Sequence, residues 1–138
     1  MILKGKNIFI VEDDMENRVV FNVILRKHGA VAHFERHGEW ATTQLWVLPQ
    51  IDLIIMDLNL AEGHSGFDVA VQIREYSGGK YAKIPIVAVS ATDPSIAIPQ
   101  AKVHDFAGFI AKPIKYSLFA QQVLDLINGE NIWDDGVM

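Results

Sequence analysis

Short apolar runs alternate with amphipathic stretches along most of the chain. "NIFIV" (7–11), "IDLIIM" (51–56), "IPIVAV" (84–89) and "AGFIA" (107–111) are almost wholly apolar and rich in branched side chains. Runs without polar alternation are expected of strands covered on both faces. "VAHF" (31–34) predicts a weaker strand. Between these runs the period changes to that of a helix. Over 15–28, Val20 stacks on Ile24 and Phe21 on Leu25, while Arg18, Asn22 and Arg26 form a polar row, and Gly29 supplies a stop. "GEWATTQLWVL" (38–48) predicts a second helix, ended by Pro49. "GFDVAVQIREY" (66–76) predicts a third, closed by Gly78 and Gly79. The stretch 94–104 is a poor helix, because Pro99 removes an amide donor from its middle. Pro113 is expected to open the last helix, which buries Phe119, Val123, Leu126 and Ile127. The tail 129–138, "GENIWDDGVM", is expected to be disordered.

Five buried strands alternating with helical crossovers imply an α/β fold whose parallel sheet carries helices on both faces. In such sheets ligands bind beyond the carboxyl ends of the strands. Those ends carry the chain's isolated polar residues. Glu12, Asp13 and Asp14 follow the first run, Asp57 and Asn59 the third, Ser90 the fourth and Lys112 the fifth.

Composition narrows the picture. The chain has 138 residues, which suits one domain, here placed at 1–128. Half the residues are hydrophobic and 21% charged, enough for a packed core. A net charge of −5 argues against nucleic acid as a partner. The absence of cysteine excludes disulfides and thiolate metal sites. No apolar run approaches the ~20 residues of a membrane span. The first residues, whose short apolar run meets acids directly, are not expected to be a leader peptide, and a cytoplasmic location is expected.

The residue types at the strand ends suit one chemistry. Several carboxylates in one pocket repel each other, so a cation is required. Hard oxygen donors select Mg²⁺ or a similar divalent ion. That ion and a lysine would neutralise a phosphoryl group in transfer, and a carboxylate can accept it as an acyl phosphate. Each residue also has a plainer role. Asp13 could cap the first helix, with Glu16 completing a capping box. Asp57 could be a loop acid, Ser90 a turn starter and Lys112 a surface lysine. Independent roles do not explain why all four end successive strands. The histidines at 28, 33, 37, 64 and 104 lack ligand spacing and read as structural, and Trp40 and Trp46 read as packing residues.

The chain resembles the receiver domain of two-component response regulators over residues 5–128. "IFIVEDD", "IIMDLNL", "IVAVSA" and "FIAKP" occur in that family's order and spacing. The resemblance implies a doubly wound, flavodoxin-like sheet of strand order 2-1-3-4-5 with five helices. It implies that Asp57 accepts a phosphoryl group from a phosphohistidine on a sensor histidine kinase or a histidine phosphotransfer protein. Asp13 and Asp57 would hold Mg²⁺ directly, Glu12 through water and Asn59 through its backbone carbonyl. Lys112 would pair with phosphoryl oxygens, Ser90 would bond to them on activation, and Phe109 would stand at the switch-aromatic position. The expected protein is a stand-alone receiver. It is not an enzyme beyond its own phosphorylation and dephosphorylation, and it acts on another protein as a monomer or a phosphorylation-dependent dimer. The response would reach the surface of the fourth helix, fifth strand and fifth helix. Three departures are evident: Ala61 where the family often has proline, a longer loop through "NLAEGHSG", and Phe109 in place of tyrosine. Two other readings remain. A pseudo-receiver would bind partners without phosphorylation, but it should have lost these groups. An aspartyl-phosphate hydrolase would have D-x-D after its first strand, whereas here "DLN" follows the third.

Overall fold

The computed structural model describes residues 1–60 and 63–137. The elements follow in the order β1 (Asn7–Val11), α1 (Met15–Lys27), β2 (Val31–Glu35), a 3₁₀ turn (Gly38–Trp40), α2 (Ala41–Val47) and β3 (Leu53–Met56). Then come α3 (Gly66–Glu75), β4 (Ile86–Ser90), α4 (Pro94–Val103), β5 (Gly108–Ala111), α5 (Tyr116–Ile127) and β6 (Ile132–Asp134). The strands form one parallel sheet of order β2-β1-β3-β4-β5-β6. This is the doubly wound, flavodoxin-like arrangement the sequence predicts, with one strand added at the edge.

The two-residue period of the strands divides the core into two layers. Phe9, Val11, Ile54, Met56, Ile86, Ala88 and Phe109 face α2, α3 and α4, packing with Leu45, Val69, Ile73 and Ala97. Ile8, Ile10, Leu53, Ile55, Val87, Val89 and Ile110 face α1 and α5, packing with Phe21, Leu25, Phe119 and Val123. Both faces of each central strand are therefore dry, which is why the runs carry no polar alternation. Strand order reverses beside β1, which pairs with both β2 and β3. The carboxyl ends of β1 and β3 flank the resulting crevice. Among the described residues no helix is long and apolar enough to cross a membrane.

Four expectations need correction. The tail is not wholly without structure: Ile132–Asp134 is a sixth strand, paired in parallel with β5. Its sequence is too short to announce a strand, but α5 returns the chain to the open edge of β5, where unpaired amides and carbonyls await a partner. Gly108 permits the approach, because a Cβ there would collide with the carbonyl oxygen of Ile132. The last helix begins at Tyr116, after Lys115 at the cap, and Pro113 lies in the preceding turn. Trp40 and Trp46 are more than half exposed, at 54% and 56%. Trp46 lies against the edge of Tyr76 and beneath the Lys80 ammonium, 4.4 Å from the ring centroid.

Finally, α4 is a full helix although Pro99 lies inside it. The Asp93 carboxylate accepts hydrogen bonds from the amide and hydroxyl of Ser95 (3.0 and 2.9 Å), Pro94 occupies the first turn, and Ala97 and Ala101 are buried against the sheet. Capping and packing outweigh the missing amide bond. Pro99 itself is exposed. Pro99→Ala should therefore raise unfolding stability by roughly 1–3 kcal/mol by restoring one helical donor, read as a higher urea midpoint at unchanged slope.

Candidate functional site

The crevice at the ends of β1, β3 and β5 gathers three carboxylates and one ammonium. Glu12 directly follows β1 and is 1% exposed; Asp57 directly follows β3 and is 7% exposed. Asp13 is half-buried beside them. One carboxylate oxygen from each of Glu12, Asp13 and Asp57 lies within 4.8 Å of the other two. Lys112 follows β5 and extends past the end of β4, placing Nζ 2.7 Å from Glu12 Oε1 and 3.4 Å from Asp57 Oδ2. Buried carboxylates need such a partner.

The backbone fixes which acid does what. Asp14, not Asp13, is the cap of α1, its carboxylate accepting from the Asn17 amide at 3.0 Å. Asp13 is thereby left free of the capping role and joins the acidic cluster. Glu12 Oε2 accepts from the Asp14 amide (3.3 Å), so both oxygens of Glu12 are engaged. Asp57 Oδ1 accepts from the Asn59 amide at 3.3 Å. Beyond Asp57, Gly66 at the start of α3 lies directly against the strand end. A Cβ at Gly66 would collide with the Asp57 carbonyl oxygen and come within 2.9 Å of Leu58 Cα. Ser65 caps α3 by accepting from the Phe67 amide (3.1 Å). Ala61, the site of the proline departure, lies outside the described residues.

Ser90 is fully buried at the end of β4. Its hydroxyl pairs with Thr92 Oγ1 at 2.9 Å and accepts from the Thr92 amide at 3.2 Å. Thr92 Oγ1 also accepts from Asn59 Nδ2 at 2.7 Å, so it bridges the loops that follow β3 and β4. Sequence reasoning missed Thr92. Its only signal is the S-x-T spacing, which reads equally as a hydroxyl turn. Phe109 stands apart from the polar cluster, fully buried in the core and level with Ala88 and Trp133 in the sheet.

The Glu12 carboxyl is raised from its ordinary 4.5 to about 7. Burial is the main cause; the Lys112 ammonium acts the other way, and the Asp57 charge adds to the rise. The cluster brings three convergent carboxylates against the single ammonium of Lys112. Its donors are all oxygen and the crevice opens to water at Asp13. This set fits a hard divalent cation that keeps some water ligands, as Mg²⁺ does.

With fold and crevice in place, comparison gives the family. The response regulator receiver domain model matches residues 8–124, and the chain belongs to that family. Receiver domains are signalling modules of two-component systems and interact with histidine kinases or phosphotransfer proteins. The chain is 29% identical over 140 residues to the protein named "Probable histidine kinase 4" of Oryza sativa subsp. japonica, a match covering 88% of this chain and 14% of that one. It thus spans a small part of that relative's length. The receiver domain of a sensor histidine kinase from Pseudomonas aeruginosa PAO1 is 25% identical, with a TM-score of 0.76 over 91% of this chain and 99% of that one; its active-site cleft coordinates a magnesium ion. Chemotaxis protein CheY4 of Vibrio cholerae shares the fold, with a TM-score of 0.77 at 20% identity over 88% of this chain and 98% of that one.

Two outcomes follow from the geometry. The Glu12 carboxyl keeps its proton to about pH 7 in the fold but releases it near 4.5 when unfolded. The folded state therefore binds more protons across that window, and stability falls as pH rises through it. In metal-free buffer the wild type should lose up to about 3 kcal/mol relative to Glu12→Gln between about pH 5 and about pH 8, measured by paired urea titrations. Gly66→Ala should cost on the order of 2 kcal/mol by overpacking the β3 end and shift the Asp57 and Leu58 amide resonances, because its added Cβ meets the backbone of both residues.

Proposed function

We propose that this domain receives a phosphoryl group on Asp57 from a phosphohistidine donor, a sensor histidine kinase or a histidine phosphotransfer protein, and signals by binding another protein. The observation that carries this reading is the position of Lys112 Nζ, held between Glu12 and Asp57 above a cluster of three convergent carboxylates.

In the proposed step a carboxylate oxygen of Asp57 attacks the donor's phosphorus. The phosphorus–nitrogen bond breaks, and the imidazole leaves with the electron pair of that bond. The product is an acyl phosphate on Asp57. In this reading Lys112, now 3.4 Å from Asp57 Oδ2, exchanges that hold for an oxygen of the incoming group. Asp13 and Asp57 would hold Mg²⁺ directly, Glu12 through water and Asn59 through its carbonyl; the bound ion would supply charge neutralisation at the phosphoryl oxygens. In this reading the Ser90 hydroxyl, now paired with Thr92 Oγ1, turns to a phosphoryl oxygen once Asp57 is modified. Phe109, level with Ala88 two residues before Ser90 on the neighbouring strand, is the proposed moving aromatic. It has no hydroxyl, so its motion would be governed by packing alone. The intact set of acids and lysine supports phosphorylation-dependent signalling over binding alone.

Acetyl phosphate with Mg²⁺ should add one phosphoryl mass to the wild type, and Asp57→Asn should remove that addition. Intact-mass measurement reads both, and undiminished incorporation in the variant overturns the assignment. Lys112→Ala should retain the acceptor yet slow or abolish its labelling by at least about tenfold, because one donor aimed at developing charge is lost.

A further inference from the structure

The edge of the sheet opposite the acidic crevice carries a cavity of about 510 Å³, at the amino ends of β3 and β4. Small-molecule sites run from roughly 300 to 1,000 Å³. Its lining is largely apolar: Leu45 of α2, Ile51 before β3 and Tyr81 are buried, and Ile84 before β4 is half-buried. Trp46 lines it too and belongs to a cluster of three rings. Tyr76 meets Trp46 edge-on at 6.3 Å and stacks on Tyr81 at 6.0 Å between centroids.

The charged groups at this cavity are Lys80, Lys83 and Asp52. The Asp52 carboxylate is already engaged, accepting from the Asn7 amide at 2.8 Å. Lys80 Nζ lies 4.4 Å from the Trp46 ring centroid and 5.6 Å from that of Tyr81. Among the described residues neither lysine forms an ion pair. In a chain of net charge −5 the uncommitted charges here are both positive. The segment that bears them is also held in place. The Arg74 guanidinium of α3 donates to the carbonyls of Tyr81 (3.4 Å), Ala82 (2.8 Å) and Ile84 (2.6 Å). A loop fixed before its ligand arrives loses little freedom on binding. The phosphoryl chemistry at the carboxyl edge uses none of these groups.

We propose that this cavity binds a small organic anion built on a flat aromatic ring. The ring takes the apolar lining beside Trp46, and the anionic group meets Lys80 and Lys83. Apolar burial supplies most of the affinity, and the lysines fix the orientation and select the charge. An anion without a ring gains nothing from the lining, and a neutral ring gains nothing from the lysines.

The test titrates cinnamate into the isotope-labelled full chain and follows its amide resonances. The amides of residues 80–84 and the indole N–H of Trp46 should shift together and saturate, with a dissociation constant on the order of 1 mM. Cinnamamide, the neutral counterpart, should bind wild type about fivefold or more weakly, because two exposed charge pairs of modest strength are lost. Cinnamate should bind Lys80→Gln/Lys83→Gln more weakly by a similar factor. Both lysines are exposed, so that variant keeps the fold. Inorganic phosphate at the same concentration should leave the Trp46 indole resonance in place. No saturable shift, shifts centred elsewhere, equal binding of cinnamamide, or equal movement of the indole by phosphate overturns the proposal. Unchanged affinity in the double variant overturns it as well, and if that variant does not fold the cinnamamide comparison decides alone.

Discussion

The ion pairs of Lys112 are the constraint around which the crevice is arranged. Glu12 and Asp57 are almost wholly removed from water, and a buried carboxylate without a counter-charge is strongly disfavoured. The counter-charge comes from β5, two strands away from β3 in the sheet. It reaches Glu12 only because β1, β3 and β5 are parallel and end at the same level. An antiparallel strand in any of these places would carry its terminal residue to the opposite edge. Sheet direction, register and charge balance are thus one requirement. The Glu12 carboxyl is raised chiefly by its burial, with the Asp57 charge adding to the rise. Three convergent carboxylates against one ammonium make the crevice receptive to a hard cation.

Two glycines serve close approaches that no other residue permits. Gly66 lets α3 begin directly against the carbonyl of Asp57, so the helix start sets the position of the residue after β3. Gly108 lets the sixth strand lie against β5. In both cases the missing Cβ makes room for another segment's backbone, and the φ of neither glycine demands the residue. The turn 112–115 joins the two regions: Lys112 points to the acids and Lys115 to Asp134. A displacement of that turn would be felt at both ends.

Much of this was legible in the chain because it depends on local pattern. β1 was readable to the residue, since "NIFIV" is apolar after Asn7 and bounded by Lys6 and Glu12. The parallel sheet followed from buried runs joined by helices, and Glu12, Asp57, Ser90 and Lys112 were readable as a group because each ends a strand. The rest required spatial neighbours. Asp13 and Asp14 are chemically identical, and only the direction in which the chain enters α1 makes Asp14 the cap. Thr92 looks like any turn threonine until β3 and β4 bring Asn59 beside it. Pro99 argued against a helix, and burial of Ala97 and Ala101 overrode it.

The sequence by itself determined the alternation of strands and helices, the family, and which residue types meet at the carboxyl edge, because burial on both faces and strand-end placement are properties of the linear pattern. Only the tertiary structure decided which acid caps and which joins the cluster, how the hydroxyls of Ser90 and Thr92 pair, and that the tail closes the sheet. Each of those depends on a contact between segments distant in the chain. A three-residue strand in particular has too little apolar surface to specify itself. It forms because β5 offers an unpaired edge, Gly108 leaves room, and Lys102, Lys115 and Gln122 supply partners for Trp133 and Asp134.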